Sequence, residues 1–200
     1  MTARGRPRGF DRERALRQAM LHFWEHGYDG TSVSDLTTAM QIRSPSLYAA
    51  FDCKEALFRE AVDHYTRTEG TGADDALRDA PSAREGIEAM LRDKADNFTA
   101  DGKPRGCMIS LAGFTYTAAS AEVRDFLAEH RRLMQSEIQQ RFDRGVTDGD
   151  LAADADTEAM AEYFATVVHG LSIRARDGAT RSTLHQTIDR AMQAWPERRS

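Results

Sequence analysis

Between Thr31 and Phe51 the chain reads as two short helical segments that abut across Gln41-Ile42-Arg43, and this joint constrains the fold more than any other feature. A connection so tight leaves almost no slack between the two helices. The first segment opens at Thr31-Ser32 and sets Val33, Leu36, Ala39 and Met40 on one face. The second opens at Ser44-Pro45, where serine can cap and proline's missing N–H costs nothing. Leu47, Ala50 and Phe51 point inward from it, while Ser46, Tyr48 and Ala49 are left outward. A further helix restarts at Lys54, after only Asp52-Cys53, with Leu57, Phe58, Ala61, Val62 and Tyr65 as its stripe. Ahead of the pair, Asp11 caps a helix carrying Ala15, Leu16, Ala19, Met20, Phe23 and Trp24, and Gly27 ends it.

The helical period continues to the end. Ser82 and Glu85 form a capping box before Ile87, Met90, Leu91 and Phe98. Ser120 caps a long segment through Phe142, Asp156 another through Ala175, and a last helix carries Leu184, Ile188, Met192 and Trp195. Residues 107–118 are apolar and short, with the character of a buried helix. No segment alternates strictly as a half-buried strand does, so the expected class is all-α. No run of ~18 apolar residues occurs, so no membrane partner is expected. Two cysteines are too few for a disulfide scaffold, and the expected location is the reducing cytoplasm.

A helix-turn-helix places its second helix in the major groove of double-stranded DNA, which demands a slim outer face. Ser44, Pro45, Ser46 and Ala49 meet that demand, and Tyr48 can reach a phosphate. Thr31, Ser32 and Lys54 sit at helix N-termini, where backbone N–H groups favour anions, and Arg43 stands just ahead of the reading helix. The net charge is −5, yet residues 1–17 hold six arginines against two acids. Arg4, Arg6 and Arg8 form a basic arm that can enter an adjacent minor groove.

The segments FWEHGYDGTSVSDLTTAM, SPSLYAAF and KEALF resemble the DNA-binding domain of TetR-type (tetracycline-repressor-like) transcriptional regulators. The matching positions are Phe23, Gly27-Tyr28, Thr31-Ser32-Val33, Leu36, Leu47-Tyr48, Phe51 and Lys54 to Leu57, and the match spans about residues 8–65. Two positions depart from the pattern. Gln41 stands where the family usually has Gly, at a cost of about 1 kcal/mol if it takes a positive φ. Asp52-Cys53 replaces a Gly-Ser-like pair, and Asp52 is expected to serve as the cap.

The resemblance implies a reading head, residues 1–55, followed by a larger helical part, residues 56–200, that binds a small-molecule effector and pairs two subunits. The seam between them is expected in the polar stretch 69–80 or just before it inside the fourth helix. Candidate pocket residues are Met90, Phe98, Cys107, Met108, Phe114, Tyr116, Phe126, His130, Met134 and Tyr163. Candidate homodimer contacts are Val167, Val168, Leu171, Ala175, Leu184, Ile188 and Met192, from which two chains could build a four-helix interface. The implied function is a ligand-responsive regulator, a repressor released from a palindromic operator, with the fourth helix as the lever.

Other readings stand beside it. Cys107 follows Lys103 and Arg105, cations of the kind found around reactive thiols, so a regulator sensing electrophiles or oxidants is one alternative. A small residue at the start of a buried helix is the plainer view of it, and Cys53 is read as inert. His22 and His26 are spaced for a metal pair but have no evident third ligand, and the aspartates of 147–156 lack calcium-loop spacing, so no metal is expected. His130 and His169 can contact an effector or serve as structural histidines. No phosphate loop, nucleophile elbow or dinucleotide fingerprint appears, so neither cofactor nor enzyme is expected. A helical ligand-binding protein or enzyme without DNA binding is the remaining alternative.

Overall fold

The computed structural model describes residues 10–112 and 120–196. Among these the secondary structure is helical throughout. In chain order it runs α1 (Arg12–His26), α2 (Val33–Met40), α3 (Ser44–Phe51), α4 (Lys54–Glu69), α5 (Thr71–Asp79), α6 (Ala83–Phe98), α7 (Met108–Leu111), α8 (Ala121–Thr147), α9 (Thr157–Arg176) and α10 (Arg181–Ala191), closed by a 3-10 turn, Met192–Ala194.

Two buried clusters divide the interior. The first joins α1 to α4 through Phe23, Leu36, Leu47, Phe51 and Phe58. Phe23 stacks edge-on against Phe58 at 5.0 Å, and Trp24 against Tyr65 at 4.9 Å. This cluster also takes in Met108, Val123 and Leu127 from α7 and α8. The second gathers α5, α6, α8, α9 and α10 around Ile87, Leu91, Phe142, Phe164 and Leu171. The whole stripe of α4, from Leu57 through Tyr65, belongs to the first cluster. The stripe of α4 thus packs with α1 to α3 well past residue 55, as far as Tyr65.

Residues 69–80 are not a linker. Gly70 ends α4 and starts α5 in a single residue, and Ala73 and Leu77 bury one narrow edge of α5. Two apolar residues four apart, among aspartates, leave too thin a stripe to read as a helix from periodicity. Within residues 107–112 only the single turn α7 forms, with Met108 and Ser110 buried.

The joints around α3 explain the two sequence departures. Gln41 takes the left-handed conformation, φ 56° and ψ 41°, and its N–H closes α2 on Thr38 O. Ser44 is the first residue of α3, not its cap; Arg43 holds the cap position without a side-chain bond. At the other end Asp52 adopts φ 66° and ψ −67°, and Cys53 N–H reaches Phe51 O at 2.8 Å. That is a γ-turn of the rare, strained hand. Asp52 is thus committed to the turn, and Cys53 caps α4 instead, accepting from Ala56 N–H at 3.4 Å.

The strain at Asp52 yields a stability prediction. Asp52→Gly removes the Cβ from a positive-φ position and should raise the free energy of unfolding by about 1 kcal/mol in urea denaturation. An unchanged or lower value would show that the turn stores no strain.

Candidate nucleic-acid interface and effector cavity

The outward face of α3 is as slim as its sequence implies. Ser44, Pro45, Tyr48 and Ala49 are exposed, Ser46 is half-buried, and Leu47 and Phe51 anchor the opposite side. Tyr48 is 50% exposed, so its phenol is presented to solvent. Arg12 fixes α1 against this unit: it pairs with Glu60 at 2.7 Å, donates to Ala50 O and lies over the Phe51 ring.

The two helix N-termini beside α3 are built differently. Ser32 caps α2 in a reciprocal box: Ser32 Oγ accepts from Asp35 N–H, and Asp35 Oδ2 accepts from Ser32 N–H. Thr31 is buried, and its hydroxyl donates to Gly27 O at 2.7 Å. It secures the turn and does not offer that hydroxyl outward. Gly27, at φ 71° and ψ 177°, occupies backbone space essentially reserved for glycine. Lys54 opens α4 with its Nζ 4.1 Å from the Tyr28 ring centroid. Burial lowers its pKa, with Asp29 pulling the other way. Arg4, Arg6 and Arg8 lie outside the described residues.

A cavity of about 250 Å³ lies between the far end of α4 and helices α6 to α9. Of the sequence candidates, Phe98, Cys107, His130 and Met134 line it. The others do not. Met90 is packed in the second cluster, one turn or more before the part of α6 that meets the cavity. Met108 turns into the first cluster, Phe126 lies under the Arg59 guanidinium, and Tyr163 is 41% exposed on another face of α9. Phe114 and Tyr116 fall outside the described residues.

The remaining wall is more polar than a search for apolar residues could find. Tyr65, Thr66 and Glu69 come from α4, Lys94 and Asn97 from α6, Arg131 and Glu137 from α8, and His169 from α9. The available signal was a polar residue interrupting the inner face of an amphipathic helix. His169 Nδ1 lies 2.9 Å from Ser110 Oγ, and Arg131 donates to Ile109 O. Burial holds His130 and His169 below the ordinary histidine range, with Arg131 adding to the effect at His169. Burial raises Asp74 and Glu137, and raises the Tyr65 phenol well above its usual value, the next influence there being Cys107. Lys103 pairs with Glu69 and bonds Asn97 at the rim.

One loop joins this cavity to the head. Trp24 Nε1 donates to Gly106 O at 3.1 Å. Gly106 N–H bonds Phe98 O, and Cys107 N–H bonds Ser172 Oγ at 2.8 Å. Gly106 sits at φ 79°, and a Cβ there would lie 2.6 Å from Leu111 Cδ1 and 2.7 Å from Ser172 O.

This arrangement agrees with known proteins over nearly its whole length. Residues 15–61 match the bacterial regulatory proteins of the tetR family, and residues 83–195 match the tetracyclin repressor-like C-terminal domain. The chain belongs to the TetR family. The HTH-type transcriptional repressor ComR of Escherichia coli K12 is 32% identical over 98% of this chain and 93% of its own length. BdcR of the same organism, also an HTH-type repressor, is 30% identical over 95% of this chain and 91% of its own length. Among solved structures, a cysteine mutant of the TetR regulator CifR complexed with 26-bp operator DNA superposes with a TM-score of 0.93 at 50% identity, covering 96% of this chain and all of that one. As a TetR-family regulator the chain is a DNA-binding transcription factor and not an enzyme. No helix among its described residues is long and apolar enough to cross a membrane.

The TetR-type core also revises the dimer candidates. Val168, Leu171, Ala175, Leu184, Ile188 and Met192 are buried within the chain, and Val168 borders the cavity. Only Val167 is partly open. The exposed stripe of uncharged residues on α9 is instead Ala159, Tyr163, Thr166, Gly170 and Ile173. A Cβ on Gly170 would meet nothing within 4 Å.

The half-buried histidines of the cavity wall imply a pH dependence. Their folded pKa lies below the unfolded value of 6.5, so the unfolded chain takes up protons first and stability falls as pH drops from there. Asp74 and Glu137, with raised pKa, act in the opposite sense at lower pH. His169→Gln should reduce the loss of unfolding free energy between neutral pH and about pH 5.5, followed by urea denaturation. An unaltered pH profile would show that His169 is not held neutral by its surroundings.

Proposed function

We propose that this chain is a homodimeric repressor that leaves a palindromic operator when a small molecule fills the cavity beside Tyr65. The observation that carries the reading is the double duty of α4. Lys54 stands at its reading end, and Tyr65, Thr66 and Glu69 stand on the cavity wall at the other. A helix of this length, about 24 Å, moves as a rod, so a displacement at the cavity reaches the head. The Trp24–Gly106 bond supplies a parallel route into α1. A ligand releases DNA only by binding the free form more tightly than the operator-bound form.

Dimerisation follows from the geometry of DNA. One short helix reads too few bases; two related by a dyad read half-sites about 34–36 Å apart. The α9 stripe centred on Thr166 and Gly170 is the proposed contact. An exposed glycine inside a helix costs about 1 kcal/mol, which close approach of a partner helix offsets. The work is placed in the cytoplasm, where the operator is.

A second reading concerns Cys107. Its side chain borders the cavity, and the Tyr65 phenol faces it. A thiol-reactive effector entering the cavity would meet this sulfur, so occupancy could be covalent. Intact mass measured after exposure to an alkylating effector, with Cys107→Ser as control, separates covalent from reversible binding.

Four outcomes test the main reading. Fragments selected from the source genome should contain an inverted repeat. Tyr48→Phe and Lys54→Ala should weaken binding to all sequences alike, and Lys54→Ala should lower the slope of log affinity against log salt by about 1 per site. Ile173→Asp should shift the protein from dimer to monomer in analytical ultracentrifugation and abolish operator binding at the same concentration; a dimer that persists would place the interface elsewhere. Equal effector affinity for free and operator-bound protein would rule out ligand-driven release.

A further inference from the structure

We infer that Arg43 is the base-reading side chain of this regulator and that it selects a guanine at one position of each half-site. The inference rests on the operator-binding reading above and deepens it.

The outward residues of α3 carry little that can discriminate bases. Pro45 and Ala49 have no side-chain donor or acceptor. Ser44 and Ser46 carry one short hydroxyl each, which pairs with any base edge it can reach. Tyr48 has a single phenolic O–H. Arg43 alone on this face combines reach with a fixed fork of donors, the geometry that matches O6 and N7 of guanine in the major groove.

Its guanidinium is also uncommitted among the described residues. Arg12 is held by Glu60 and Ala50 O, and Arg59 by Glu55 and the Phe126 ring. Arg43 is exposed, makes no capping bond and forms no ion pair with any described residue. Its backbone, by contrast, is fixed on both sides. Gln41 N–H and Ile42 N–H close α2 on Thr38 O and Thr37 O, and Arg43 O accepts from Ser46 and Leu47 as α3 begins. Arg43 shares the wall of an open cleft with Ser46 and Ala49, and with Phe10, Gln41, Ile42 and Ala50, so it lies beside two of the outward residues of α3. A rooted backbone with a free side chain is what a base contact needs, because little must be broken or ordered apart from the side chain itself.

A phosphate contact by Arg43 is the competing outcome, and lysine separates the two. Lysine keeps the charge that a phosphate needs and loses the bidentate fork that guanine needs. The experiment measures full-length wild type, Arg43→Ala and Arg43→Lys against the selected operator and a set of operators changed symmetrically at one base pair per half-site. Failure of wild type to bind any operator would overturn the DNA-binding reading itself. With wild type bound, one G·C position should lose about 5- to 150-fold in affinity when changed. Arg43→Ala should bind all variants at that position equally. Arg43→Lys should keep most of the affinity while losing most of the discrimination. Guanine preference that survives in Arg43→Ala, or lysine restoring full discrimination, would overturn the assignment. Circular dichroism shows whether the variants are folded, and at an exposed position both should be.

Discussion

The enclosure of Gly106 is the constraint on which the relation between head and core depends. Its N–H is taken by Phe98 at the end of α6, its carbonyl by the Trp24 indole of α1, and the space where a side chain would stand by Leu111 and Ser172. The next residue, Cys107, is tied to Ser172 of α9. Three helices therefore meet on two successive peptide groups, at a residue with positive φ that only glycine adopts without strain. Trp24 is buried on its other side against Tyr65, so the indole cannot shift independently of α4. The polar bond sits inside an apolar cluster, where an unsatisfied carbonyl or indole N–H would cost more than the bond itself contributes. That asymmetry keeps the contact closed.

A second set of constraints orients the docking helix. α3 has few anchors of its own, chiefly Leu47 and Phe51. It is held between two non-glycine residues at positive φ, Gln41 before it and Asp52 after it. Backbone strain of this kind persists only where the surroundings over-determine it. Here they do: Met40 and Leu47 are buried on either side of the first turn, and Phe51 and Leu57 on either side of the second. The short, tight joints allow the outer face of α3 to stay slim while the helix remains rigid.

Much of this was legible in the sequence, and what was missed has a common physical cause. The caps at Asp11, Ser82 and Asp156, the glycine stop at Gly27, and the apolar stripes of α1 to α4 follow from local chemistry that acts within one turn. Failures occurred where the outcome depends on which of two apolar surfaces a helix face meets. Leu171, Leu184 and Ile188 have the periodicity of an interface, but they fill the chain's own core. The exposed stripe of α9, made mostly of Ala, Tyr, Thr and Gly, carries too little hydrophobicity to announce itself. The cavity was half-hidden for the reverse reason: its wall contains Lys94, Asn97 and Glu137, residues that a hydrophobic pattern assigns to solvent. His130 and His169 were visible as candidates because a histidine on an inward face is an anomaly whatever surrounds it. The arginines of the N-terminal arm and the aromatics Phe114 and Tyr116 lie outside the described residues.

The size of the proposed coupling can be judged from the contacts available to carry it. Among the described residues, the links between cavity and head include the Trp24–Gly106 hydrogen bond, the edge-on Trp24–Tyr65 pair and the continuous packing of α4. A net hydrogen bond contributes about 1 kcal/mol and an aromatic pair about 0.5–1.5 kcal/mol. Together they allow a difference of about 2 kcal/mol between two arrangements, or roughly 30-fold in operator affinity per subunit. Coupling energies between sites commonly fall at about 1–3 kcal/mol, so these contacts are sufficient without a large rearrangement of the core. In a dimer both heads must keep their spacing, and the two contributions multiply when both cavities are filled. On the proposed dimeric, effector-released reading, thirty-fold per subunit becomes about 10³-fold for the pair, so a modest change at each Gly106 joint, repeated by symmetry, would suffice for release.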